Sequence, residues 1–142
     1  MNIYIASYGK GEEKGIYIVD LDQAKLTLTC KRHVATPDFP SYMITDDNVL
    51  YVAYKNASAK NDGGGLGSFS IVHGDLILNN NYSSSGRSYT HLCISPDQRY
   101  IFAANYHIGA TAAYALKHKL IDHKIGAVRH QGFGPDLLKR QT

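Results

Sequence analysis

A stretch towards the C-terminal end of the sequence combines histidines with basic side chains. His118, His123 and His130 lie there among four lysine and arginine residues, and imidazole is a common metal ligand in proteins. Their spacing fits neither one face of a helix nor a zinc finger. We therefore predict an exposed outer strand for this stretch and assign neither a metal nor a cofactor to the protein.

A glycine-rich segment at 61–67 (NDGGGLG) invites comparison with a phosphate-binding loop. Such a loop ends in Gly-Lys-Ser or Gly-Lys-Thr and leads into a helix, because the backbone amides, the lysine and the helix N-terminus together hold the phosphates. This segment has no such ending, and no helical pattern follows it. It is therefore predicted to be a hairpin turn.

Arg140 is the side chain best suited by its chemistry to bind an anion. Its planar guanidinium presents a fork of donors that matches a carboxylate or a phosphate. Ser7 and Tyr8 end an early apolar segment and are further polar candidates. No base is visible beside either of them in the sequence, so a serine nucleophile is not assigned.

The overall composition excludes several classes of protein. The 142 residues are 44% hydrophobic, which is enough for a packed core. The formal charge of +3 is too small to indicate nucleic-acid binding, although it suits a small anionic ligand. No apolar run is long enough to span a bilayer and the N-terminus lacks a signal peptide, so we expect no membrane association and a cytoplasmic location.

The chain contains two cysteines, Cys30 and Cys93. Two are too few for the disulfide framework of a small secreted protein. Cys93 follows apolar residues, as a small core side chain would. We therefore expect both to be buried free thiols.

The apolar residues occur in short runs rich in Tyr, Ile, Val and Thr, separated by clusters of Gly, Asn, Asp and Pro. This pattern is typical of strands, and no segment keeps a helical period. Strands are predicted at 2–7, 15–20, 25–32, 41–45, 49–55, 66–72, 76–82, 90–95, 100–105 and 110–116, with two weaker ones between 120 and 130.

These strands repeat as sets. The segments 4–8 (YIASY), 51–55 (YVAYK) and 102–106 (FAANY) resemble one another and begin about 50 residues apart. Each is followed by a turn and a second strand. A repeat of this length is typical of a β-propeller blade with four strands. The three segments are therefore predicted to occupy equivalent strands of three blades.

Twelve strands make about three blades, whereas propellers close with four to eight. An arc of three blades leaves apolar faces and strand edges uncovered. We therefore expect residues 1–142 to be the N-terminal part of a single propeller domain whose remaining blades are absent from this chain. On its own, this part is expected to self-associate through its exposed blade.

The segment 89–106 (YTHLCISPDQRYIFAANY) resembles the lactonase-type seven-bladed β-propellers, the family that includes the 6-phosphogluconolactonases. These proteins carry a histidine, an apolar run, Pro-Asp and a strand ending in Ala-Asn-Tyr. The opening segment 4–22 resembles their first strand pair. The pattern of Gly132, Gly134 and Pro135 followed by Arg140 and Gln141 resembles their linker.

The resemblance implies an all-β fold of seven blades when complete, and hydrolysis of a sugar lactone. The implied substrate is 6-phosphogluconolactone, an anionic intermediate of the pentose phosphate pathway. By position, the resemblance places His91, Asn105 and Tyr106 near the central channel as candidates for substrate binding, together with Arg140. The family's main catalytic groups follow in later blades, beyond Thr142, so residues 1–142 alone are predicted to be inactive.

Two other functions remain open from the sequence. One is a 3-carboxy-cis,cis-muconate lactonising cyclase, an isomerase on the same propeller that also takes an anionic substrate. The other is a non-catalytic propeller or fragment that serves as a scaffold, since a fold does not determine a function. The sequence downstream of Thr142 would distinguish them.

Overall fold

The computed structural model describes residues 1–9, 11–55, 63–84 and 87–132. These residues form eleven β-strands and one 3₁₀ turn at Gly11–Glu13, which confirms the prediction of an all-β chain. The strands are β1 (Asn2–Tyr8), β2 (Lys14–Asp22), β3 (Thr27–Ala35), β4 (Pro40–Asp46), β5 (Val49–Lys55), β6 (Gly64–Val72), β7 (Asp75–Ser84), β8 (His91–Ile94), β9 (Tyr100–Asn105), β10 (Ala110–Lys117) and β11 (Leu120–Arg129).

The strands form three antiparallel sheets, each built from consecutive segments of the chain. The first sheet has the order β1-β2-β3, the second β4-β5-β6-β7 and the third β8-β9-β10-β11. Strands β1, β4 and β8 lie side by side at one edge of the three sheets, and β3, β7 and β11 at the other. This is the arrangement of neighbouring propeller blades, with β1, β4 and β8 next to the axis.

The three repeated segments occupy equivalent strands, as predicted. They form β1, β5 and β9, each of which pairs in antiparallel register with the strand that follows it. In the second sheet β4 pairs with the other edge of β5, and in the third sheet β8 pairs with the other edge of β9. Among the described residues the first sheet lacks this additional strand, so β1 pairs with β2 alone.

One prediction about the strands was wrong. The two weak strands expected between 120 and 130 form a single strand, β11, which pairs with β10 through two register shifts. All but one of its ten residues are exposed. An outer strand of this kind needs no regular apolar pattern, so its sequence does not reveal its full length.

The second sheet lies between the other two and is the most buried part of the protein. Six of the seven residues of β5 are buried, because one face packs against the first sheet and the other against the third. Val52 belongs to the cluster that includes Ile16 of β2, whereas Ala53 belongs to the cluster that includes Leu92 of β8. A strand buried on both faces has no polar alternation, and this explains its continuous apolar sequence.

Side-chain hydrogen bonds join the second and third sheets at both ends of their strands. At one end the Ser41 hydroxyl donates to the Tyr89 carbonyl at 2.7 Å. At the other end the Tyr51 hydroxyl donates to the Lys119 carbonyl, also at 2.7 Å, and the Asn80 amide donates to the Ile121 carbonyl. Each bond satisfies a backbone carbonyl with a donor from the neighbouring blade.

Both cysteines are free but exposed, so the prediction that they are buried was wrong. Cys30 lies on β3, the outermost strand of the first sheet. Cys93 alternates with Leu92, which packs against the second sheet, and its own side chain therefore lies on the opposite face. No helix among the described residues is long and apolar enough to cross a membrane.

Candidate functional site

The strands next to the axis meet at a hollow of about 480 Å³, which we call the axial hollow. It lies where β1 and β5 end, where β4 begins, and between the segments that precede β8 and follow β9. All three sheets therefore contribute to it. Its lining residues are Ala6, Tyr8, Pro40, Ser41, Lys55, Ser88, Thr90, Tyr106 and His107.

The axial hollow is surrounded by cationic side chains. Lys55 Nζ lies 5.4 Å from the centre of the Tyr8 ring, and Arg87 Nη1 lies 3.4 Å from His107 Nδ1. None of the lining residues that the structure describes is acidic. Partial burial and then the nearby charges of Arg87 and Lys55 lower the pKa of His107. An anion in the hollow would relieve this repulsion, so the site favours anionic ligands.

Anion binding at the axial hollow should depend on pH through His107. Because the pKa of His107 is lowered, its imidazole is neutral near pH 7, and a bound anion favours the protonated form. Sulfate, measured by calorimetry on the intact protein, is expected to bind about fivefold more tightly near pH 5 than near pH 7.5. The His107→Gln variant should lose this difference; an unchanged pH profile in that variant would contradict the assignment.

His91 begins β8 and contacts Tyr42 of β4. The Tyr42 hydroxyl lies 3.1 Å from His91 Nε2, and the ring centroids are 4.5 Å apart. The residues that precede them, Ser41 and Thr90, line the axial hollow. Neither His91 nor Tyr42 is among the lining residues of the hollow, but an imidazole held by a hydroxyl partner can accept a proton. Sequence reasoning missed Tyr42, because the contact joins residues 49 positions apart.

Asn105 and Tyr106 lie in different surroundings, although both were predicted near the channel. Tyr106 lines the axial hollow and is 53% exposed. Asn105 is only 3% exposed, and its amide nitrogen donates to the Arg87 carbonyl at 2.6 Å. It lines a separate hollow between the second and third sheets. Ligand contact by His91, Asn105 and Tyr106 stays a prediction, and Arg140 lies outside the described residues.

The other polar residues considered from the sequence divide between this site and the scaffold. Tyr8 lines the axial hollow, whereas the Ser7 hydroxyl accepts a hydrogen bond from the Gly9 amide at 3.3 Å. The Ser41 hydroxyl donates to backbone carbonyls and serves the scaffold. Within the described ranges no group of three or more His, Cys, Asp or Glu side chains could hold a metal ion; His123 contacts Asp122.

Sequence and structure comparisons agree on one family. The family profile described as "Lactonase, 7-bladed beta-propeller" matches residues 2–142. The chain is 28% identical over 138 residues to a protein of Bacillus subtilis named 6-phosphogluconolactonase, covering 93% of this chain and 38% of that protein. The chain thus spans less than half the length of this curated relative.

Solved structures show the same fold. A protein from Lactobacillus plantarum superposes with a TM-score of 0.83 at 24% identity, covering 96% of this chain and 39% of the other. A periplasmic gluconolactonase of Pseudomonas aeruginosa superposes with a TM-score of 0.79 at 23% identity, covering 92% and 39%. At identities of 24% and 23%, the similarity to these two structures shows the fold alone. Because the second protein is periplasmic, the cytoplasmic location expected here stays a prediction.

Proposed function

Since this chain belongs to the family of lactonases with a seven-bladed β-propeller, we propose that the intact protein hydrolyses a sugar lactone that carries a phosphate group. The relative from Bacillus subtilis is named for the hydrolysis of such a lactone. 6-Phosphogluconolactone is the substrate we propose for this protein as well.

The cations around the axial hollow are the observation that supports a phosphorylated substrate. Lys55 and His107 line the hollow, and Arg87 is in contact with His107. A guanidinium and an ammonium are the groups that proteins use most to bind phosphate. Lys55 and Arg87, with no carboxylate among the described residues that line the hollow, suit a dianion, whereas an uncharged lactone would gain little from them.

Lactone hydrolysis needs a group that accepts a proton from the attacking water and donors that stabilise the oxyanion on the former carbonyl oxygen. We propose His91, held by the Tyr42 hydroxyl, as the proton acceptor. We propose the hydroxyl of Tyr106, an exposed residue that lines the axial hollow, as a donor to the oxyanion. The relative from Bacillus subtilis is more than twice as long as this chain. We propose that the intact protein has further blades of the same kind, and that residues from those blades complete the site.

Removing the cations should impair the use of the phosphorylated substrate selectively. In the intact protein, Arg87→Gln and Lys55→Gln are each expected to lower kcat/KM for 6-phosphogluconolactone about tenfold. The rate with the unphosphorylated gluconolactone should change less than about twofold, because that molecule lacks the charge. Acid release above the spontaneous rate, followed in a pH-stat, measures both.

Lys117→Gln is the matched control, because Lys117 is an exposed lysine on β10 away from the hollow. It should leave both rates unchanged. Equal losses with the two lactones in the Arg87 and Lys55 variants would show that these residues do not recognise phosphate. If the intact protein converts a carboxymuconate and hydrolyses neither lactone, the proposed function is wrong and the protein is a lactonising cyclase instead.

A further inference from the structure

A second hollow, of about 280 Å³, lies between the second and third sheets, and we call it the inter-sheet hollow. The segment from Arg87 to Thr90 separates it from the axial hollow: Ser88 and Thr90 line the axial hollow, and Tyr89 lines the inter-sheet hollow. A single water molecule occupies about 30 Å³, so this space is large enough for a small organic molecule.

One residue that lines the inter-sheet hollow carries a buried acceptor without a partner among the described residues. Asn105 lines it and is 3% exposed, and its Oδ1 makes no hydrogen bond within the described part of the chain. The orientation of the amide is determined, because its nitrogen donates to the Arg87 carbonyl. A buried acceptor left unsatisfied destabilises the protein, and a hydroxyl from a ligand would satisfy it.

Three tyrosines form the aromatic wall of the inter-sheet hollow. The rings of Tyr82 and Tyr114 are 5.3 Å apart, and those of Tyr89 and Tyr114 are 6.2 Å apart, both edge to face. The Tyr89 and Tyr114 hydroxyls are 2.6 Å apart. Burial, and then the hydrogen bond to Tyr89, raises the pKa of Tyr114, so its hydroxyl stays neutral. These contacts hold the rings in place before any ligand binds.

Lys124 supplies the only charge among the described residues that line this hollow. It is exposed on β11 and forms no ion pair with another described residue. Asn105 pairs with Ala110 and Lys124 with Tyr114, four residues further along β10, so a ligand that donates to Asn105 can extend along this strand and place an anionic group beside Lys124. This arrangement favours a molecule with both hydroxyl groups and a carboxylate.

The hollow between the first and second sheets provides a comparison. It is larger, about 490 Å³, and its acidic residue, Asp38, is paired with Lys14 at 2.5 Å. None of the buried atoms found without a partner lies on its wall. A hollow between neighbouring sheets thus occurs without an unpaired buried atom on its wall, so the space alone does not explain the unpaired Asn105 oxygen.

We propose that the inter-sheet hollow binds a small polyhydroxylated carboxylic acid, with a ligand hydroxyl donating to Asn105 Oδ1 and the carboxylate at Lys124. This site is distinct from the axial hollow and does not depend on the proposed lactonase activity. Gluconate has the required groups and no phosphate, so it is the probe.

The test is a substitution that places a larger side chain in the inter-sheet hollow from its solvent-exposed side. Ala127 lines it opposite Ala112, whereas the neighbouring Val128 does not line it and is 65% exposed. In the intact protein, Ala127→Phe is expected to weaken gluconate binding at least about tenfold, and Lys124→Gln about threefold. Val128→Phe should leave it unchanged, because successive residues of a strand lie on opposite faces. Calorimetry measures the affinities, and circular dichroism checks that each variant is folded.

Lys55→Gln distinguishes this site from the axial hollow. Gluconate affinity that survives Lys55→Gln but is lost in Ala127→Phe supports the proposal. Affinity lost in Lys55→Gln and kept in Ala127→Phe overturns it, because the acid then binds in the axial hollow. A crystal grown with gluconate that shows only ordered water at Asn105 overturns it as well.

Discussion

Residues 1–142 expressed alone are expected to self-associate and to hydrolyse no lactone. Each outer sheet covers the second sheet with one face and leaves its other face open. Ile5, next to the packed Tyr4, is 41% exposed, and Phe102, next to the buried Ala103, is 37% exposed. β1 also presents an edge that no described strand pairs with. Open apolar faces and unpaired edges both promote association.

Light scattering measures the association, and a pH-stat assay with 6-phosphogluconolactone measures the turnover. The double variant Ile5→Thr with Phe102→Thr should shift the fragment towards monomer. Leu26→Thr is the control, because Leu26 is 84% exposed in the turn between β2 and β3 and lies on neither open face. A monodisperse monomer with enzyme-level turnover would contradict both the expected association through the open faces and the proposal that further blades complete the site.

Gly64→Ala is expected to destabilise the intact protein by about 1–3 kcal/mol and to impair anion binding at the axial hollow. A Cβ at Gly64 would lie 2.4 Å from Ser88 Cα and 3.0 Å from the Arg87 carbonyl oxygen. These are backbone atoms, so the segment that carries Arg87 would have to move. Gly64 also pairs with Lys55, and the substitution therefore disturbs the segments that carry both cations of the site.

Gly126→Ala is the matched control, because Gly126 also lies in a strand and a Cβ there would meet no atom within 4 Å. Urea unfolding measures the stability, and sulfate titration measures the binding. A Gly64→Ala protein with ordinary stability and ordinary sulfate affinity would show that the segment from Arg87 to Thr90 adapts without cost.

The fold was largely predictable because a propeller repeats its sequence pattern together with its structure. The segments beginning at 4, 51 and 102 identified β1, β5 and β9, and the apolar run of β5 follows from its burial on both faces. β11 was less predictable, since an exposed outer strand tolerates many sequences. Cys93 was misassigned because the third sheet packs on one face only in the described structure.

The candidate site was only partly predictable, because its groups come together across sheets. His91 and Tyr106 were identified through the family resemblance; Tyr106 lines the axial hollow, whereas His91 contacts Tyr42 and is not among the lining residues. His107 directly follows the Ala-Asn-Tyr motif, and that position was a usable signal that we overlooked. Lys55 ends β5 in the second sheet and Arg87 precedes β8 in the third, 32 positions away, and no local pattern connects them.

The hydrogen bonds that join the second and third sheets also constrain how the protein can change shape. Ser41 reaches the Tyr89 carbonyl at one end of the strands, and Tyr51 reaches the Lys119 carbonyl at the other. A shear motion of one sheet past the other would have to break both bonds and disrupt the buried cluster between them. Shear between these two blades is therefore opposed at both ends of their strands and by the cluster between them.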